Sequence, residues 1–103
     1  MPARLLALYG HPTDPAAFDR HYSSTHVPLA KKLPGLRSYT ISRGAVGAPD
    51  GQAPYYLIGE LDFDSVADIQ AAFSSPEGAA AAADLGNFAS GGVTLVWYEV
   101  APA

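Results

Sequence analysis

The sequence predicts an α+β domain with the element order β-α-β-β-α-β, and three observations carry that prediction. A helix-period apolar stripe follows a short apolar run near the N-terminus. Two strand-like segments are joined by a loop rich in Gly, Pro and Asp. A second helical region then leads into a long apolar segment near the C-terminus.

Ala3 to Tyr9 (ARLLALY) is an apolar run bounded by Gly10 and Pro12, which reads as a buried strand. Asp14 then suits a helix N-cap, with Pro15 at the first helical position, where its missing N–H costs nothing. Phe18, Tyr22, Thr25, His26, Leu29 and Leu33 recur at spacings of three and four, and so share a face about 100° wide. Pro28 cannot donate to the Ser24 carbonyl, and its ring pushes Val27 away from helical angles. The helix is therefore expected to end or kink after His26, with a short turn to Leu33 and a stop at Pro34-Gly35. Leu36 to Val46 alternates as a strand does. Gly44 to Pro54, with its Asp50-Gly51 turn signal, reads as a long exposed hairpin connection.

Tyr55 to Phe63 is the third strand, with Gly59 as a bulge or close-approach point. Asp64 is the expected cap of a helix that buries Val66, Ile69 and Phe73. Ser75-Pro76-Glu77 starts another helix, Ala79 to Ala83 continue it, and Gly86 is its expected stop. The alanines fit either close packing on a sheet or room for a ligand. Gly92 to Val100 is apolar on both faces, as a central or interface strand is. The order is the ferredoxin-like plan, a four-stranded antiparallel sheet with its helices on one face. The other face, taking Leu5 or Leu6, Tyr39 or Thr40, and Trp97 or Tyr98, calls for a second copy to cover it, so a homodimer is expected.

Composition narrows the function. The 103 residues make a single domain over positions 1–103, and 49% hydrophobic against 16% charged is apolar enough to favour burial against another subunit. A net charge of −4 with only six basic residues argues against nucleic acid or an anionic membrane as partner. The absence of cysteine excludes disulfides, thiolate catalysis and cysteine-ligated metal. With no apolar run of membrane-spanning length and no signal-peptide pattern, a cytoplasmic location is expected.

His26 is the leading catalytic candidate, because imidazole titrates near neutrality and can give or take a proton. Tyr22 shares its helix face, and Tyr9 and Tyr39 lie on neighbouring strands. Several phenols with an imidazole on an apolar wall suit a pocket for an aromatic or polyketide-like molecule, with Tyr9, His11, Phe18 and Tyr39 as its expected contacts. A core histidine satisfied by Ser24, Thr25 or backbone is the competing reading. His21, five residues before His26, does not match the i, i+4 spacing of a helical metal pair, and neither a metal nor haem is expected. Ser23-Ser24 with His26 lacks the orienting acid and oxyanion-hole glycines of a triad.

The run from Leu8 to Gly44 closely resembles the EthD family, named after a protein of ethyl tert-butyl ether degradation. The resemblance rests on D-P-x-x-F-D-x-x-Y-x-x-T-H-x-P-L-A from Asp14 and P-G-L-x-x-Y from Pro34. It continues through F-x-S-P-E-G from Phe73, then Asp84 and Phe88 before the last aromatic strand. It implies a dimeric α+β barrel, two ferredoxin-like sheets closing face to face with helices outside. The wider superfamily holds muconolactone isomerases, polyketide cyclases, cofactor-free monooxygenases and haem proteins, and some EthD members carry the label reductase. This chain shows no G-x-G-x-x-G after a strand. The expected chemistry is cofactor-free acid–base work (isomerisation or cyclisation of an apolar or aromatic carbonyl compound). A non-catalytic ligand carrier of a degradation pathway is the alternative, and a cofactor-free monooxygenase or reductase-labelled member a further one.

Overall fold

A computed structural model describes all residues, 1–103. Strand β1 (Ala3–Gly10) is central, paired antiparallel with β5 (Tyr55–Phe63) and β6 (Val93–Glu99), and β2 (Ser38–Ile41) flanks β5. The sheet order β2-β5-β1-β6 is that of the ferredoxin-like plan. The Gly44–Pro54 loop carries a small hairpin of β3 (Gly47–Ala48) and β4 (Gly51–Gln52), turning at Pro49-Asp50. β2 is shorter than the expected Leu36–Val46 strand, since the chain leaves the sheet after Ser42 bonds Ile58. β6 is an edge strand, and Leu95, Val96, Trp97 and Tyr98 stay 36–42% exposed.

Period-two alternation sets the two faces. Ala3, Leu5, Ala7 and Tyr9 are buried under the helices, with Leu61, Gly59, Trp97 and Leu95 beside them in register. Leu6, Leu8, Ile58, Val96 and Tyr98 point the other way. That open face also carries Arg4, hydrogen-bonded to Asp62 at 2.9 Å, with Ser38 on the same carboxylate. It is more polar than the sequence suggested, because the aliphatic run of β1 is split evenly between the faces. Trp97 lies on the helix side, against Phe73.

Asp14 caps α1 (Pro15–His21) by accepting from the Ala17 N–H at 3.1 Å. The helix does not break at Pro28, and Val27 is helical (φ −57°, ψ −47°), contrary to the steric expectation. A π-helical turn, Tyr22–His26, intervenes, and α2 (Val27–Ala30) takes Pro28 into its first turn. Carbonyls disturbed by this change of register find side-chain donors: Ser23 Oγ reaches Asp19 O at 2.9 Å, and Ser24 Oγ reaches Arg20 O at 2.6 Å. The wider turn also rotates Thr25 out to solvent, off the stripe the helix period gave it.

α3 (Val66–Phe73) is capped by Ser65, not Asp64, because Ser65 Oγ accepts from Asp68 N while Asp64 pairs with Arg37. α4 (Pro76–Phe88) is capped by Ser75 and runs through Gly86 to Phe88, since an interior glycine without positive φ does not stop a helix. A Cβ on Gly78 would lie 2.0 Å from Ala72 O, so only glycine lets α4 pass α3 this closely.

Candidate functional site

Three elements converge near the C-terminal end of β1. The π-turn supplies Tyr22 and His26, β1 supplies Tyr9, and α4 supplies Asp84, Asn87 and Phe88 on one face. Phe18 and Tyr22 stack with centroids 5.6 Å apart, and Tyr9 meets both edge-on. His26 packs on Phe88 at 4.8 Å. This aromatic nest encloses one carboxylate and one imidazole, both buried (Asp84 6% and His26 6% exposed).

His26 Nδ1 lies 2.9 Å from Asp84 Oδ2. The other carboxylate oxygen, Oδ1, accepts from His21 Nε2 at 2.8 Å and Asn87 Nδ2 at 3.1 Å. Burial works against the charge on Asp84, yet the donors Asn87, His21 and His26 outweigh it and hold the carboxyl below its ordinary range. An ionised carboxylate only accepts, so His26 carries its proton on Nδ1. Burial lowers the His26 pKa below 6.5 against the opposing pull of Asp84, so the ring is neutral at pH 7. Its Nε2 then presents a lone pair, with the Tyr9 hydroxyl 3.4 Å away, too far for a tight hydrogen bond.

The Tyr22 and Tyr39 hydroxyls hydrogen-bond each other. Gly59 makes room for them, since a Cβ there would sit 3.3 Å from the Tyr22 oxygen. Burial pushes the phenols of Tyr9, Tyr22 and Tyr39 upward, so all three stay neutral donors.

A cleft opens between α4 and the sheet, and His26, Tyr9 and Tyr39 are its polar lining among Leu, Ala, Phe and Ile side chains. It encloses about 570 Å³ with the solvent mouth included, of which the centre of a water-sized sphere can visit about 60 Å³. Ala81 and Ala82 line it, so part of the alanine run leaves space and does not simply pack. No Lys or Arg side chain borders it.

Of the residues singled out from the sequence, His26, Tyr9 and Tyr39 meet at this cleft. Tyr22 stands one layer behind, touching it through Tyr39. Phe18 lies within the aromatic nest and does not line the cleft. His11 is elsewhere: its Nε2 is 3.1 Å from Ala53 O at a separate surface hollow beside Asp19 and Tyr56. Asp84 and His21 went unassigned as site residues. The available signal for Asp84 was an acid at the Ala81, Asp84, Leu85, Phe88 spacing, on the apolar face of α4. No cluster of three His, Cys, Asp or Glu side chains has metal-holding geometry. No helix is long and apolar enough to cross a membrane.

Residues 10–92 match the EthD domain. The chain is 48% identical over 97 residues to an uncharacterised 11.0 kDa protein of the thcB–thcC intergenic region of Rhodococcus erythropolis, covering 93% of this chain and 92% of that one. An EthD family protein of Bacillus halodurans superposes with a TM-score of 0.88 at 40% identity, over 98% of this chain and 100% of its own. At the level of fold alone, a dimeric ferredoxin-like protein of unknown function from Thermobifida fusca matches at TM-score 0.71 and 20% identity, over 97% and 92% of the two chains. The hydroxynitrile lyase of Passiflora edulis matches at 0.77 and 17%, over 99% and 95%. On sequence, fold and conserved length alike, the chain belongs to the EthD family.

Proposed function

We propose that this protein is a cofactor-free acid–base catalyst acting on a small, neutral, largely apolar carbonyl compound, with His26 as the base. The observation that supports this most is the His26 ring itself: Nδ1 is committed to a buried carboxylate, which leaves Nε2 unprotonated beside an apolar cleft. In the reaction, Nε2 takes a proton from the carbon next to the carbonyl, and the C–H electron pair moves into an enolate. Tyr9 or Tyr39 donates a hydrogen bond to the enolate oxygen. The imidazolium, stabilised by Asp84, then returns its proton to the product at a different carbon, giving isomerisation, or after a ring has closed. Tyr22 holds the Tyr39 hydroxyl. A neutral substrate suits this lining, where no cation waits for a carboxylate or phosphate and Asp84 repels one. Size follows from the 60 Å³, room for on the order of four to six water-sized groups.

Assembly belongs to the same reading: two chains pair through the open sheet face. The exposed Val96 and Tyr98, with Leu6, Leu8 and Ile58 beside them, and the dimeric ferredoxin-like neighbour support it. Light scattering should give twice 10.7 kDa. Val96→Asp, which would bury an unpaired charge, should shift the chain to monomer.

The test is deuterium uptake. Small cyclic and open-chain ketones are incubated with the protein in heavy water and followed by NMR. The wild type should exchange protons next to the carbonyl of at least one of them, and His26→Ala should slow that by about 10²–10⁴ while still folded. Saturable binding with every ketone returned unexchanged would contradict catalysis and favour the carrier. Equal exchange by His26→Ala would remove His26 from the mechanism.

A further inference from the structure

The carboxylate behind the proposed base carries a second imidazole. His21 ends α1 with its side chain 29% exposed, and its Nε2 stands 2.8 Å from Asp84 Oδ1, while His26 holds Oδ2. Five residues apart on a regular α-helix, at roughly 100° per residue, the two rings would diverge by about 140°. The π-turn removes that divergence. The Val27 N–H closes on Tyr22 O, five residues back, so residues five apart come onto one face. His21 and His26 thus reach the same carboxylate, and both pack on Phe88, at 5.1 and 4.8 Å. Pro28, which cannot donate to the Ser24 carbonyl, also favours a wide turn here, and the two histidines make use of it.

We propose that His21 is a positioning residue for His26: from the solvent side it fixes the Asp84 carboxylate so that Oδ2 faces the base, and its own proton weakens that base. This rests on the reading of His26 as the base. With His21 neutral, the full charge of Asp84 supports an imidazolium forming at His26. When His21 takes a proton from water, its charge offsets that of Asp84 and repels a second cation across the carboxylate. The other groups facing the pair leave this coupling intact. Tyr9 from β1 and Tyr39 from β2 are neutral phenols, and Asn87 and Phe88 from α4 are uncharged. Along their own helix, Asp14 borders the same hollow as His21 with one oxygen taken by the Ala17 N–H, Asp19 is engaged by the Tyr56 hydroxyl, and Arg20 is exposed on the outer surface. Burial is the chief cause that lowers His26, and the charge of His21 acts in the same direction.

The experiment is a pH titration of both rings by ¹H–¹⁵N NMR on the intact, ligand-free chain. In the wild type, the His26 signals should show an inflection at the His21 midpoint, and the reverse. His21→Phe keeps a ring against Phe88 but removes the donor and the charge, and should raise the His26 midpoint by about half a unit or more. His21→Gln keeps a neutral donor, and should retain the His26 Nδ1–H bond while abolishing the inflection. Independent titrations in the wild type would overturn the proposal, as would an unmoved or lowered His26 midpoint in folded His21→Phe. The wild-type titration decides the matter even where a variant fails to fold. Ring titrations need no substrate, so this failure stays distinct from a failed exchange test, which overturns the base reading on which the positioning role rests while leaving the coupling of the two rings measurable.

Discussion

The two ends of the helix-covered sheet face are built from different materials. Toward the N-terminus of β1, Ala3, Leu5, Leu61, Phe63, Ile69 and Ala72 form an aliphatic cluster, with Ile69 fully buried. Toward its C-terminus, Ala7, Tyr9, Phe18, Tyr22 and Phe88 form an aromatic cluster that also holds a histidine and an aspartate. The first gains by removing apolar surface from water and asks nothing of geometry beyond fit. The second must place every hydroxyl, imidazole and carboxylate it hides within reach of a partner, and it does so for all of them, His26 Nε2 through no more than the long 3.4 Å contact with Tyr9. One end therefore holds the fold, and the other spends packing freedom on fixed orientation. The cleft runs between them, floored by the aliphatic side chains and edged by the polar ones.

The largest effect expected from this contrast is at the aliphatic end. Ile69→Ala should cost about 2–5 kcal/mol in denaturant unfolding, while the His26 NMR signals keep their positions. A His26 ring that moved with Ile69 would show that the two ends are one cooperative unit. At the aromatic end, Asp84→Asn keeps the shape and removes the charge. It should cost a smaller 1–3 kcal/mol or so, yet slow ketone exchange by about 10²–10⁴, because His26 loses its orienting partner.

Acid should separate the ends further. Unfolded His26 binds a proton near 6.5 and the folded ring resists it, so the unfolded state takes up more protons as the pH falls below 6.5 and stability drops. Asp84 adds a second loss at lower pH. Its folded carboxyl titrates below the ordinary 3.8, so the stability it contributes above 3.8 disappears as the pH falls through the folded value. Unfolding midpoints against pH should show both steps, with the second reduced in Asp84→Asn, where Asp62 and Asp64, also lowered by their arginine partners, still titrate. The smallest effect belongs to Tyr22→Phe, which deletes one hydroxyl and keeps the stacked ring. Thermal melts should change by no more than about 1–1.5 kcal/mol, and ketone binding should weaken only through Tyr39.

Much of this contrast was legible in the sequence. The spacing of Phe18, Tyr22 and His26 placed them on one face, and the bounds of Tyr55–Phe63 and the Ser75-Pro76 helix start emerged from local chemistry alone. The π-turn did not. Pro28 and the steric bias on Val27 pointed to a break, but the helix continues through the Val27 N–H bond to Tyr22 O, with the hydroxyls of Ser23 and Ser24 bonding back to Asp19 and Arg20. Fixed helix geometry then misplaced Thr25 and kept His21 apart from His26. Asp84 was hidden for another reason. Its place on the apolar face of an alanine-rich helix marked it as unusual but not as a site residue, since its histidine partners lie 58 and 63 residues away in the chain. The cap of α3 passed from Asp64 to Ser65 because a distant arginine, Arg37, claimed the aspartate.

The protonation of the His26 ring tests the account at its centre. Long-range ¹H–¹⁵N spectra at pH 7 should show a neutral imidazole with its proton on Nδ1, a midpoint below 6.5 on acidification, and a perturbed Nε2 when a ketone that exchanges is added. A ring protonated on Nε2, or one still charged at pH 7, would leave no lone pair facing the cleft and would contradict the account.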